Sequence, residues 1–96
     1  MEDYKKYFDK LISLDDLDNY DNPLIQLHFI NKLGWEWHIV ASDKSLHDDD
    51  YLCFGIGNIT MEELGMFTLK EIIGMGAELD VNWEPVNLYS VFKKKE

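Results

Sequence analysis

Two stretches of alternating apolar and polar residues, 24–30 and 35–42, flank a short connector that ends in glycine, Asn31-Lys32-Leu33-Gly34. A period of two sends alternate side chains to opposite faces of an extended strand, and a short glycine-containing connector joins two such strands antiparallel. A β-hairpin is therefore the predicted centre of the fold. If Phe29 opposes Trp35, then Leu27 opposes Trp37 and Ile25 opposes Ile39, and six apolar side chains share one face. Gln26, His28, Glu36 and His38 are left together on the other.

The rest of the chain supplies partners for that hairpin. Tyr4, Phe8, Leu11 and Ile12 recur at helical spacing, with acids before lysines as the helix dipole favours, so residues 2–13 are predicted to be a short amphipathic helix. Leu52, Phe54 and Ile56 alternate with small residues and predict a third strand, and the pair Gly55 and Gly57 leaves one face bare for close approach by another element. A short extended piece is expected around residues 64–67. Thr68, with Glu71 three residues later, has the form of a capping box, and Gly74-Met75-Gly76 ends the helix that this box would start. Residues 79–83 alternate as a further strand, and Val86 to Lys95 follows Pro85 as a last short helix with Leu88, Val91 and Phe92 facing inward. The predicted architecture is α+β: an antiparallel sheet of about four strands with two or three short helices packed on one face. A single domain spans residues 1–96, divided into an N-terminal helix and acidic connector at 1–22 and a core at 23–92.

Charge limits what such a domain can bind. Nineteen acids stand against nine lysines and no arginine, a formal net charge of −10 on 96 residues. Proteins that grip nucleic acid neutralise phosphates with Lys and Arg, so direct nucleic-acid binding is excluded and basic surfaces are the expected partners. The excess is uneven: residues 1–50 hold twelve acids and five lysines, whereas residues 51–96 hold seven acids and four lysines. Asp15, Asp16, Asp18 and Asp21 form one cluster, Asp43 with Asp48, Asp49 and Asp50 a second, and Glu62 with Glu63 a third. Such clusters keep a small protein soluble. Arranged on one rim, they also imitate the charge of a nucleic-acid backbone. A single cysteine, Cys53, permits no internal disulfide, and the start MEDYKKYFDK has the form of neither a signal peptide nor a membrane span, so a cytoplasmic protein without membrane contact is expected.

Catalytic signatures are weak. Cys53 lies in an apolar run with no adjacent base, and the fragment Gly55-Ile56-Gly57 lacks the third glycine and the Lys-Ser/Thr ending of a phosphate-binding loop. Metal sites announce themselves through close Cys or His pairs, and neither C-x-x-C nor H-x-x-x-H occurs. His47-Asp48-Asp49-Asp50 lacks the pattern of a calcium loop. No catalytic residue, metal or cofactor is assigned on this reading. Its alternatives are a small metal-dependent enzyme using the His28, Glu36 and His38 face, and a homo-oligomeric scaffold.

Tyr51-Leu52-Cys53-Phe54-Gly55, followed by the run from Glu63 to Ile72 (ELGMFTLKEI), resembles the central signature of a bacterial family of small domains of unknown function carried on phages, plasmids and integrative elements. Leu27, Phe29 and Gly34-Trp35-Glu36-Trp37 resemble that family's first hairpin, and Glu78-Leu79-Asp80 with Trp83-Glu84-Pro85 its closing strand and turn. The similarity covers residues 23–92, and the segment before Pro23 is an addition. The resemblance implies a mobile-element setting, in which some members of such families act as anti-CRISPR inhibitors, and it carries over no catalytic residue. Joined to the charge, it leads to one expectation: a non-enzymatic protein that binds and inhibits a host nucleic-acid-handling defence protein. Its acidic loops, Asp15, Asp16, Asp18, Asp21, Asp43, Asp48, Asp49, Asp50, Glu62 and Glu63, would act as a nucleic-acid mimic.

Overall fold

The computed structural model describes residues 2–45 and 49–92. Its strands are β1 (Leu24–Ile25), β2 (Leu27–Ile30), β3 (Glu36–Lys44), β4 (Tyr51–Asn58), β5 (Glu62–Thr68), β6 (Glu78–Leu79) and β7 (Val86–Asn87). Three short helices accompany them: α1 (Lys5–Phe8), α2 (Leu69–Gly74) and α3 (Leu88–Val91), with 3-10 turns at Glu2–Tyr4 and Asp15–Asn19. Five strands make one antiparallel sheet in the order β5-β4-β3-β2-β6, and β1 pairs with β7 in a separate two-stranded sheet. The fold is α+β, as the sequence predicts. Among the described residues the strands number seven rather than about four, because β1, β6 and β7 have two residues each, too few to show a period.

The hairpin forms, with a register two residues away from the predicted one. Leu27 opposes Ile39, His28 opposes His38, Phe29 opposes Trp37 and Ile30 opposes Glu36. The loop sets this register. Asn31 Oδ1 accepts hydrogen bonds from the backbone N–H groups of Leu33 and Trp35, each at 3.0 Å, and the N–H of Asn31 donates to the Trp35 carbonyl at 3.1 Å. The turn therefore closes around residues 31–35, with Gly34 at φ +82°, where side-chain-bearing residues are strained. A slip of two residues keeps the paired side chains of β2 and β3 on their predicted faces.

Both faces of the sheet are buried, which corrects the expectation of helices on one face. Phe8 of α1 with Leu69 and Ile72 of α2 cover Leu27, Phe29, Trp37, Ile39, Tyr51 and Cys53. Leu88 of α3 packs with Ile25, Val40, Ala41 and Ile56 in a second cluster. A β-bulge divides β3 between the two: Ile39 pairs with Gly55 and Ala41 with Phe54, leaving Val40 as the extra residue. Val40 and Ala41 thus both point into the second cluster, and alternation resumes in the opposite phase. Ile25, predicted to share a face with Leu27, sits in the second cluster because strand pairing breaks at Gln26 and β1 pairs with β7 instead of β3.

Other predicted elements are shorter than the sequence suggests. The helix over 2–13 reduces to one 3-10 turn and α1, after which Ile12 makes a parallel bridge to Ala41. Residues 80–83 form a turn rather than a strand, and the last helix is Leu88–Val91, with Lys93, Lys94 and Lys95 outside the described residues. The predicted caps of α2 are present. Thr68 Oγ1 accepts from the Glu71 N–H at 3.1 Å and Glu71 Oε1 from the Thr68 N–H at 3.2 Å. At the other end Gly76, at φ +81°, donates to the Ile73 carbonyl and Ala77 to that of Ile72, a Schellman closure. Among the described residues no helix is long and apolar enough to cross a membrane.

Gly55 is where the sheet tolerates no side chain. A Cβ placed there would lie 1.8 Å from the His38 carbonyl oxygen of the neighbouring strand, whereas one at Gly65 would meet nothing within 4 Å. Gly55→Ala should therefore lower the unfolding free energy by about 3 kcal/mol or more, and Gly65→Ala should change it by roughly 0.5 kcal/mol or less. Urea denaturation of the two variants measures the contrast.

Candidate functional site

The antiparallel register places His28 directly opposite His38, with their side chains on the same face and their rings stacked at 4.6 Å. Glu36 lies two residues before His38 on that face, as alternation requires. Each ring nitrogen of His28 faces a carboxylate oxygen at 2.9 Å: Nδ1 faces Asp80 Oδ2 and Nε2 faces Glu36 Oε1. His28 is thus clamped between two acids.

Asp80 and Trp83 come from the turn after β6. Asp80 is held by its own loop: its N–H donates to the His28 carbonyl at 2.9 Å and its Oδ1 accepts from the Asn82 N–H at 3.0 Å. The hydrogen bond between the His28 ring and the carboxylate, followed by that from the Asn82 N–H, pulls the Asp80 carboxyl below its ordinary range. Trp83 lies across both imidazoles, with ring centroids 4.9 Å from His28 and 5.3 Å from His38, and its indole N–H donates to the Ile25 carbonyl at 3.0 Å.

His38 is the least compensated member. Among the described residues its Nδ1 is the buried side-chain nitrogen or oxygen without a hydrogen-bond partner. Burial lowers its pKa, the positive charge of His28 lowers it further, and Glu36 pulls weakly the other way. The ring is accordingly neutral at neutral pH. The side chain of His28 is 9% exposed, whereas those of Glu36 and Asp80 are 34% and 30% exposed, so solvent reaches the cluster from the carboxylate side. His28, Glu36 and His38 can present one ligand atom each within 4.8 Å of one another. The pairing of the two histidines and Glu36 on one face is legible from alternation. Asp80 and Trp83 fall in segments read as fold motifs, and nothing local in the sequence assigns them to histidines more than forty residues away.

The acidic residues divide. Asp15, Asp16 and Asp18 are exposed on the 3-10 turn, and Asp21 is exposed just beyond it. The Leu14 N–H donates to Asp43 Oδ1 at 3.3 Å and the Ser42 N–H to the Ile12 carbonyl at 3.0 Å, which fastens this connector to the C-terminal end of β3. Asp49 is exposed just before β4, whose first residue pairs with Lys44, so it belongs to the same end of the sheet. Asp48, with His47, lies outside the described residues. Three members of the predicted rim are misplaced. Asp50 is buried, its Oδ1 accepting from the N–H groups of Tyr51 and Lys70, and so it joins β4 to the first turn of α2. Glu62 and Glu63 pair with Asn58 and Gly57 at the far end of β4, about 23 Å away at the strand rise. Cys53 is buried, and burial pushes its thiol up to about 12, so it is no nucleophile.

Comparison with protein-family models, curated proteins and solved structures produced no match.

The lowered pKa of His38 carries a sign that can be measured. A His whose folded pKa lies below its ordinary value of 6.5 contributes full stability above pH 6.5, and loses it as pH falls towards the folded value. Asp80, also lowered, acts in a separate window below its ordinary 3.8. Between pH 7.5 and 5.5 the wild-type chain should therefore lose more stability than His38→Gln does, as read from urea midpoints at the two pH values.

Proposed function

We propose that this chain is a non-enzymatic binding protein that docks its acidic connector on the basic, nucleic-acid-binding surface of a host protein and excludes nucleic acid from it. The supporting observation is that two acidic segments distant in sequence, the turn with Asp15, Asp16 and Asp18 and the β3–β4 end with Asp43 and Asp49, are joined at one end of the sheet by the Leu14–Asp43 and Ser42–Ile12 hydrogen bonds. Carboxylates held on a packed turn are preorganised, so docking costs little ordering entropy. Leu17, on the same turn, packs into the second cluster and anchors it. The contacting set is narrower than the sequence suggests: Asp50 is committed to α2, and Glu62 and Glu63 lie at the far end.

The resemblance to phage, plasmid and integrative-element domains favours a host defence protein, of the CRISPR type among others, as the partner. Inhibition there would follow from occupying the channel that nucleic acid needs. Affinity from such contacts is screened, so binding should weaken by about tenfold or more between 50 and 200 mM salt.

The experiment captures the partner from host lysate on immobilised chain, identifies it, and measures displacement of its bound nucleic acid. Wild-type chain and Glu62→Lys/Glu63→Lys should displace the nucleic acid equally. Asp15→Lys/Asp16→Lys/Asp18→Lys should fail to do so at any salt concentration. Displacement by the triple variant at wild-type concentration in low salt would overturn the proposal.

A further inference from the structure

We propose that His28, Glu36 and His38 bind one divalent transition-metal ion, with zinc the best chemical match, and that Asp80 orients His28 for it. The set is built into the sheet. Register fixes the two histidines opposite each other, alternation fixes Glu36 beside them, and all three ligand atoms fall within 4.8 Å. Two imidazoles and one carboxylate are a donor set for zinc and its first-row neighbours, and three protein ligands leave a position open for water. Calcium and magnesium, which take oxygen ligands, fit it poorly.

Three further features point the same way. Asp80 Oδ2, 2.9 Å from His28 Nδ1, is the carboxylate that ligating histidines ordinarily carry on their second nitrogen: it holds the hydrogen on Nδ1 and leaves Nε2 facing Glu36. Asp80 is itself fixed by the Asn82 N–H, so the support is rigid. The unpartnered, buried Nδ1 of His38 marks a ring that packing alone holds in its present orientation, stacked on His28 and edge-on to Trp83.

Loading is a small local change. Ligands sharing a tetrahedral ion at about 2.0–2.1 Å lie about 3.3 Å apart, so no separation within the cluster need close by more than roughly 1.5 Å, which side-chain rotation of the two imidazoles and the half-exposed Glu36 supplies. A hydrogen carried on the ligating nitrogen leaves to solvent as the metal takes its place. The metal-free cluster is also stable, because Glu36 and Asp80 satisfy His28 between them. The site is therefore one that fills and empties without unfolding the chain.

The test uses the full chain stripped with a chelator and titrated with zinc chloride by calorimetry and with cobalt(II) by visible absorption, where tetrahedral coordination gives intense d–d bands. One equivalent should bind, with a tetrahedral cobalt spectrum and a raised melting temperature. His38→Ala and Glu36→Gln should weaken binding by about 100-fold or more, and Asp80→Asn by about 10–100-fold. His47→Ala controls for the histidine outside the described residues and should bind as wild type. Far-UV circular dichroism verifies folding, and His38→Gln replaces His38→Ala if the smaller side chain unfolds the sheet. The proposal is overturned if uptake does not saturate near one equivalent. It is equally overturned if folded His38 and Glu36 variants bind as wild type, or if His47→Ala abolishes binding.

Discussion

Everything in this fold leans on β3 being covered on both faces. Residues 37–42 are buried without interruption, flanked by β2 on one side and β4 on the other, with helices above and below. A strand in that position has no solvent to satisfy its backbone, so its amides and carbonyls must be met by neighbouring strands. The bulge at Val40 is the consequence: two consecutive apolar residues, Val40 and Ala41, go to one cluster, and the strand regains its pairing on either side. Close approach of β4 to this strand is possible because Gly55 presents no Cβ to the His38 carbonyl.

Placing two histidines opposite each other inside such a sheet is costly unless their polar atoms are met. His28 meets two carboxylates, and the cost falls on His38, which remains neutral. Trp83 closes the cluster with ring contacts while its N–H ties β1 to the turn after β6. One indole thus links the two-stranded sheet, the five-stranded sheet and the histidine pair.

The two candidate surfaces are electrostatically separate. Glu36 and Asp43 stand seven residues apart on β3, about 23 Å at the strand rise, which is more than two Debye lengths at physiological salt. Charge reversal on the acidic turn therefore leaves the potential at His28 and His38 nearly unchanged, and an ion between the histidines adds little to docking at the other end. The segment before Pro23 is part of the body of the protein: Phe8 enters the first cluster, and Ile12, Leu14 and Leu17 pack against the second.

How much could be read without coordinates follows from the range of each interaction. The hairpin, the face shared by His28, Glu36 and His38, the third strand, and both caps of α2 depend on residues within a few positions of one another, and alternation or capping chemistry is enough to find them. The register could not be read, because Asn31 lengthens the turn by hydrogen bonds that no apolar pattern records. The two-residue strands, the passage of Ile25 to the second face and the position of α3 opposite the other helices depend on where distant segments pack. The same division holds for the sites: the sequence by itself determined a strongly acidic α+β chain and a histidine face. Tertiary structure decided that Asp50 turns inward, that Glu62 and Glu63 stand apart from the other acids, and that Asp80 and Trp83 complete the histidine cluster. Those three facts rest on contacts between segments up to 58 residues apart. Such contacts form only when burying both faces of one sheet forces the segments together, and no local periodicity encodes that requirement.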